Sequence, residues 1–216
     1  MPHLDLPVLR LVRLALGLVL ATTASASALD YRIAVLDDGR CGFQRNCPLA
    51  IMATANIEKD EVQNFIAFLK AEAASRTRMP RDLVIHSGGG YLIGGMRLGL
   101  AARKLQLRTV AGRVVGGEIR PGLCASACVF TLMGGRTRYV PQGSHVVVHA
   151  PWEGTSDNQQ ALTPEVGRSV RDLLSRYTRN LGVSPGVVGL IMSVPHDSNR
   201  RLTANELSRF KLATQQ

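Results

Sequence analysis

Three short stretches of the chain carry side chains that could do chemistry, and the first holds a serine between two cysteines. Ser126 lies in "GLCASACVFTLMGG" (122–135), where it opens an apolar run typical of a helix. A helix start leaves backbone N–H groups free and carries partial positive charge, so the N–H of Ala127 is well placed to stabilise an oxyanion. The pattern fits a serine nucleophile, and it also fits a serine that only caps a helix.

The second stretch is "LVIHSGGGY" (83–91), in which a short apolar strand runs into Gly88, Gly89 and Gly90. Glycines let a backbone approach a ligand closely, so their N–H groups are candidates for a second oxyanion donor or a phosphate cradle. The run lacks the spacing of nucleotide-binding loops. A tight strand-to-helix turn is the structural alternative.

The third stretch is "GSHVVVHAPW" (143–152), an apolar strand that ends at His149. A histidine at a strand end that faces a cleft is a natural general base. His145 lies on the same face of the strand by alternation. Taken alone, a histidine in such a position is more often structural than catalytic.

Together and in this order, the three stretches resemble the proteolytic subunit of the Clp protease and its relatives in the ClpP/crotonase superfamily. The resemblance covers about residues 49–210 and rests on four motifs, which are Ser87-Gly88-Gly89-Gly90, Ala125-Ser126-Ala127, Val148-His149-Ala150-Pro151 and the segment 202–207. More closely, the sequence is similar to exported bacterial ClpP-like proteins with a Cys-x-Ser-Ala-Cys nucleophile segment.

The resemblance implies a role for each matching residue. Ser126 becomes the nucleophile, His149 its base, and the N–H groups of Gly90 and Ala127 the oxyanion hole. No cofactor and no metal are implied, and the substrate is a peptide or an unfolded protein. Family members commonly form rings or stacked oligomers, so we expect a homo-oligomer. The family's ATP-driven unfoldase is cytoplasmic, and we expect an exported copy to act without it.

The third member of the triad is where the chain departs from the family. The position of the family's aspartate holds Asn199, and Asp197 lies two residues earlier. An asparagine can orient His149 but cannot stabilise an imidazolium by charge. Either Asp197 or Asn199 is therefore the candidate orienter.

Three functions follow from these residues. The favoured one is a serine hydrolase, most simply a peptidase that acts through an acyl-enzyme. The alternative is a ClpP-like binding or assembly module without hydrolysis, which Asn199 favours. A crotonase-type acyl-thioester site is the third, but that chemistry has little use for a Ser126–His149 pair.

The elements that must position these residues alternate between strands and helices. The patterns predict strands at 31–36, 49–53, 82–87, 107–112, 137–140 and 145–150, helices at 58–75, 93–104, 164–181 and 185–193 besides those from Ser126 and Ala204, and loops at 112–123 and 151–163. This alternation argues for an α/β fold with mostly parallel pairing. The resemblance implies a ClpP/crotonase-like spiral of β-β-α units with helices packed outside.

The first 28 residues are predicted to be a secretory signal peptide. Arg10 and Arg13 precede an apolar run at 14–21, and Ala26-Ser27-Ala28 has the small-residue pattern of a cleavage site. The run is too short to span a bilayer as a helix, although an uncleaved anchor is the alternative. We therefore expect one domain over 29–216, in the periplasm or secreted, with no stable membrane span after cleavage.

All four cysteines lie in the part of the chain predicted to be exported. An even count in an oxidising compartment favours disulfides. Three pairings are open, and the most local joins Cys41 to Cys47 and Cys124 to Cys128. Positions four apart on a helix have Cβ atoms roughly 5–6 Å apart, against about 3.5–4.5 Å in a disulfide, so this pairing puts Cys124 before the serine helix. No regular metal-ligand spacing is present, so no zinc site is expected.

The net charge of the chain is +10, which raises the question of nucleic acid as a partner. The basic residues are scattered, no Lys/Arg block reaches five, and aromatic residues make up 5%. This distribution argues against a nucleic-acid partner and indicates only a weak preference for acidic surfaces.

Overall fold

The computed structural model describes residues 28–37, 41, 47–155 and 158–215, so all but the last residue of the predicted signal peptide lies outside the described residues. The strands are β1 (Asp30–Val35), β2 (Leu49–Ile57), β3 (Asp82–Gly90), β4 (Arg108–Val115), β5 (Glu118–Pro121), β6 (Leu123–Ala125), β7 (Arg138–Tyr139), β8 (His145–Val148), β9 (Trp152–Thr155), β10 (Asn158–Ala161) and β11 (Arg200–Arg201). The helices are α1 (Glu61–Ser75), α2 (Leu92–Lys104), α3 (Ala127–Gly134), α4 (Pro164–Asn180), α5 (Gly186–Ser193) and α6 (Ala204–Arg209).

The central sheet is mostly parallel, which confirms the predicted α/β class. Its strand order is β1-β2-β3-β6-β8-β11, with β4 also paired to β3, and only edge strands such as β1 and β11 run antiparallel to their neighbours. Strand β3 changes partner along its length. Its first half, 82–85, pairs with β4, whereas Ser87 pairs with Cys124 of β6. The glycine run therefore lies beside the strand that leads to Ser126.

Two segments predicted as loops form hairpins instead. Strand β4 continues to Val115 and returns as β5 through Gly116 and Gly117, whose φ values of 60° and 81° suit a two-residue hairpin turn. In the segment 151–163, β9 and β10 pair antiparallel as a separate two-stranded sheet. Glycine content led to the loop prediction at 112–123 and polar composition to the one at 151–163, but a hairpin needs only backbone pairing and a suitable turn.

Helix α3 is buried along its whole length, and glycines of α2 allow close packing against it. A Cβ at Gly95 would lie 2.3 Å from the carbonyl oxygen of Ala127, and one at Gly99 would lie 2.6 Å from that of Phe130. The hydroxyl of Tyr177, on α4, donates to the same Phe130 oxygen over 2.7 Å. These contacts fix the helix whose start carries the candidate nucleophile. Within the described ranges, no helix is long and apolar enough to cross a membrane.

We expect Gly99→Ala to lower the free energy of unfolding by about 2–3 kcal/mol, because the added methyl would overlap the Phe130 carbonyl and the Tyr177 hydroxyl. Gly189→Ala is the matched control, since Gly189 is exposed on α5 and a Cβ there would meet nothing within 4 Å. That variant is expected to gain about 0.5–1 kcal/mol. Urea unfolding measures both, and a Gly99→Ala midpoint equal to that of the wild type would contradict the close packing of α2 on α3.

Candidate active site

Ser126 lies in a sharp turn between β6 and α3. Its φ of 52° and ψ of −119° are values that a residue with a side chain rarely adopts. Backbone strain of this kind is worth about 1–3 kcal/mol and concentrates at functional sites. A strand, a strained serine and a helix in this order form the elbow that exposes a nucleophile. Ser126 is half-buried although α3 behind it is fully buried, and within the described residues its hydroxyl makes no hydrogen bond.

A disulfide encloses this turn. Cys124 lies in β6 and Cys128 is the second residue of α3, with their Cα atoms 5.2 Å apart and both side chains fully buried. A second disulfide joins Cys41 to Cys47. The local pairing predicted from the sequence is thereby confirmed, as is the position of Cys124 outside the helix. Two disulfides are typical of proteins from oxidising compartments.

His149 follows directly after β8, on the strand next to the serine. β6 and β8 run parallel with Ala125 opposite Val147, and the N–H of Ser126 donates to the Val147 carbonyl over 2.9 Å. The serine and the histidine therefore lie at the same ends of neighbouring parallel strands, where side chains of adjacent strands meet. His145, the other candidate, lies at the opposite end of the strand and is exposed.

A backbone carbonyl orients His149. The Nδ1 atom lies 2.8 Å from the carbonyl oxygen of Ala150. Because a carbonyl oxygen only accepts, Nδ1 carries the proton and Nε2 has a free lone pair. This is the tautomer that a general base needs if Nε2 is to take a proton from a hydroxyl.

Asn199 and Asp197, the two candidates for the third member of the triad, differ in their position relative to His149. Strand β11 runs antiparallel to β8, and Arg200 opposite Val148 is the last pair at this end. Asn199 and His149 each lie one residue beyond that pair, outside the two strands. Asp197 lies two residues away, and its Oδ1 accepts from the Ser198 hydroxyl over 3.5 Å. Both side chains are exposed, and among the described residues neither hydrogen-bonds to His149. The register favours Asn199 as the neighbour of the histidine.

The glycine run packs its backbone against the serine turn. A Cβ at Gly89 would lie 2.7 Å from the Cβ of Ser126, so the approach requires glycine there. The N–H of Gly89 donates to the Ser87 hydroxyl over 3.1 Å. Gly90 has a φ of 134° and leads into α2. Because the Gly89 N–H is engaged by Ser87, the predicted role of the Gly90 N–H as second oxyanion donor stays open to this glycine.

His86 is a residue beside the site that the sequence reasoning missed. Its Nδ1 accepts the N–H of Leu123, the first residue of β6, over 2.9 Å. Burial, and secondly the charge of Arg113, lower the pKa of the His86 imidazole. The sequence feature that could have identified His86 is its position directly before Ser87 and the glycines. His86 therefore links β3 to β6 while it is neutral.

The described residues contain no group of three or more His, Cys, Asp or Glu side chains placed to hold a metal ion. The structure places a strained serine at a helix start, a histidine at the end of the neighbouring strand and a glycine-rich backbone edge in one region of the fold. Within the described residues, no hydrogen bond joins Ser126 to His149. Nucleophilic acyl transfer requires groups of these types.

Comparisons with known proteins bear on the fold. No protein-family model matches the chain, and no curated protein matches it in sequence. A mutant of the 1510-N membrane-bound stomatin-specific protease matches in structure with a TM-score of 0.52 and 12% identity, over 74% of this chain and 73% of that one. Another mutant of that protease, in complex with a substrate peptide, matches with a TM-score of 0.53 and 13% identity, over 74% and 69%.

ClpP1 from Listeria monocytogenes also matches, with a TM-score of 0.49 and 16% identity, over 73% of this chain and 84% of that one. At these identities the likenesses concern the fold alone. The two matches to the stomatin-specific protease, with TM-scores of 0.52 and 0.53, confirm the predicted fold with its mostly parallel sheet and helices.

The disulfide around the serine generates a prediction with a built-in control. We expect the double variant Cys124→Ala/Cys128→Ala to lose about 2 kcal/mol of unfolding free energy from loop closure, and to lose the fixed presentation of Ser126 as well. The Cys41–Cys47 disulfide closes a similarly short loop elsewhere. Its removal in Cys41→Ala/Cys47→Ala should therefore lower the free energy of unfolding by a comparable amount and leave the reactivity of Ser126 unchanged. Urea unfolding and the reactivity of Ser126 towards an electrophilic probe are measured together. Equal probe reactivity in both double variants would show that the disulfide does not support the serine.

The hydrogen bond of His86 predicts a pH dependence. Because its pKa is lower in the folded protein than in the unfolded chain, the folded state binds fewer protons, and its stability falls as pH drops below about 6.5. His86→Asn keeps an acceptor near the Nδ1 position and does not titrate. Urea unfolding between about pH 7 and about pH 5 should show a shallower decline for this variant than for the wild type. Parallel declines would mean that His86 protonation does not weaken the β3–β6 link.

Proposed function

We propose that the protein is an exported serine hydrolase, a peptidase that cleaves peptides or unfolded proteins through an acyl-enzyme and without an ATPase partner. The observation that carries the proposal is the positive φ of Ser126 at the β6–α3 turn, enclosed by a buried disulfide. Such strain persists only where the surrounding structure maintains it, and a helix cap does not require it.

The chemistry follows from the geometry. The Ser126 hydroxyl attacks the carbonyl carbon of the peptide bond, and Nε2 of His149 takes its proton. The negative charge that develops on the carbonyl oxygen is stabilised by the N–H groups of Gly90 and Ala127, with the positive end of α3 behind them. His149 then passes its proton to the leaving amine. A water molecule, activated by the same histidine, releases the acyl group from Ser126.

In this mechanism the Ala150 carbonyl takes the place of the usual carboxylate, and Asn199 is the proposed second orienting group. The carbonyl accepts from Nδ1 of His149, and Asn199 lies one residue beyond the last β8–β11 pair, as His149 does. Both groups are uncharged, so neither stabilises the imidazolium as a carboxylate does. We therefore expect a slower enzyme than one with an aspartate in this place.

Export is supported by the two disulfides and by the signal-peptide pattern of the sequence. Independence from an ATPase follows from export, since the family's unfoldase works in the cytoplasm. Substrates would then be short or unfolded chains that reach the site unaided. The homo-oligomer implied by the family resemblance stays a prediction.

A second candidate function is a binding or assembly module that retains the fold without hydrolysis. The specific observation in its favour is that Asn199 and Asp197 are both exposed and that, among the described residues, neither hydrogen-bonds to His149. A protein that binds its partner without hydrolysing it does not need a charged group to orient His149.

The test is labelling of the oxidised protein with a fluorophosphonate probe. We expect the wild type to be labelled, Ser126→Ala to show no labelling, and His149→Ala to react about 100-fold more slowly because proton transfer is lost. His145→Ala is the matched control, a histidine on the same strand that should leave the rate unchanged. A folded wild type that resists the probe would contradict the hydrolase and support the binding module.

The same assay separates the two candidates for the third position. Asn199→Asp is expected to raise the labelling rate at least about tenfold, because a carboxylate beside His149 adds charge stabilisation. Asp197→Asn should leave the rate unchanged. The opposite result, a loss with Asp197→Asn, would assign the orienting role to Asp197.

A further inference from the structure

A cavity of about 520 Å³ includes the two residues that follow His149 in its lining. These residues, Ala150 and Pro151, form one wall, and the start of α4 and the end of α5 form others. His149 is not among the described lining residues, but its Nδ1 hydrogen-bonds to the carbonyl of Ala150. The cavity and the candidate base are therefore connected through Ala150.

The ionisable side chains among the described lining residues of this cavity are all basic. Arg168 and Arg171 lie one turn apart on α4, and His196 approaches from the segment after α5. No aspartate or glutamate is among the described lining residues. The positive end of α4 adds to the potential, since Thr163 and Pro164 at its start also line the cavity.

The two guanidinium groups have no partner in the described part of the chain. Neither Arg168 nor Arg171 forms an ion pair or a hydrogen bond there, although Glu165 and Asp172 lie on the same helix. Other arginines of the protein are engaged, as in the pair of Arg200 with Glu206. A guanidinium presents several donors in a plane and matches a carboxylate well.

We propose that this cavity is a subsite for a carboxylate of the bound peptide, supplied by an acidic side chain or by the peptide's free C-terminus. The inference rests on the proposed peptidase function and specifies its substrate class. Arg168 and Arg171 bind the carboxylate, and the apolar wall at Ala150 and Pro151 contacts the adjoining chain. The chain's net charge of +10 attracts such peptides over longer distances.

Binding to the full-length Ser126→Ala protein in its oxidised form tests the subsite apart from hydrolysis. Three fluorescent peptides of equal length are compared by anisotropy, one with acidic side chains and an amidated C-terminus, one neutral with a free C-terminus, and one neutral and amidated. At least one carboxylate-bearing peptide should bind about tenfold more tightly than the neutral amide, with the difference shrinking as salt is raised. The first two peptides identify the source of the carboxylate. Equal affinity for all three would overturn the proposal.

Variants of α4 assign the effect to residues. In the Ser126→Ala background, Arg168→Gln/Arg171→Gln should abolish the preference and leave affinity for the neutral amide unchanged. Arg176→Gln/Arg179→Gln, which replaces two exposed arginines of α4 outside the cavity, is the charge-matched control. Circular dichroism establishes that each variant is folded. An equal loss of preference in the Arg176→Gln/Arg179→Gln protein would reduce the effect to general charge and overturn the subsite.

Hydrolysis by the wild type separates failure of the subsite from failure of the function. Cleavage of all three peptides at equal kcat/KM, unchanged by the double variant, would leave the peptidase standing and refute the subsite. Arginine-dependent binding of carboxylate peptides with no cleavage of any peptide would support the subsite and refute the peptidase.

Discussion

The strained backbone of Ser126 is the constraint on which the rest of the site depends. A positive φ at a residue with a side chain is unfavourable by about 1–3 kcal/mol, so neighbouring interactions must hold it. The N–H of Ser126 donates a hydrogen bond to the carbonyl of Val147, and the carbonyl of Ser126 accepts one from the N–H of Val129 over 3.0 Å. The disulfide prevents β6 and α3 from separating, and Gly89 leaves room for the serine side chain. Each feature limits how the turn can relax.

Hydrogen bonds from an arginine hold the C-terminal end of α3. The buried guanidinium of Arg138 donates to the carbonyls of Met133 and Gly135 at the helix end, and to that of Lys211 in the C-terminal segment. Burial, with a smaller contribution from Arg103, lowers its pKa to about 10, so the group stays charged at neutral pH. A cation at the negative end of a helix is favourable. Helix α3 is thus fixed at both ends, which makes the serine turn a rigid feature.

The local features of this site were accessible from sequence because each has a signature in neighbouring residues. Cysteines four apart with a serine between them led to the correct disulfide and to its position before the helix. The hairpin at Gly116 and Gly117 was missed although its turn signal was present, because the glycine-rich composition of 112–123 suggested a loop. The partner of His86, the position of Arg168 and Arg171 in the cavity and the pairing of β11 with β8 depend on chain segments far apart in sequence. Periodicity and motifs do not contain that information.

The architecture separates the groups that would do the chemistry from those that would select the substrate. Ser126 and His149 lie on adjacent strands of the central sheet, backed by the fully buried α3. The cavity near them is lined by Ala150, Pro151, the start of α4, and the end of α5 with the segment that follows it. Catalytic groups need positions held within a fraction of an ångström, whereas a binding subsite tolerates adjustment. Substitutions of exposed α4 side chains in this lining, such as Arg168 and Arg171, can therefore change what is bound without disturbing the strained serine, because the interactions that hold the serine turn come from β6, β8, α3 and Gly89.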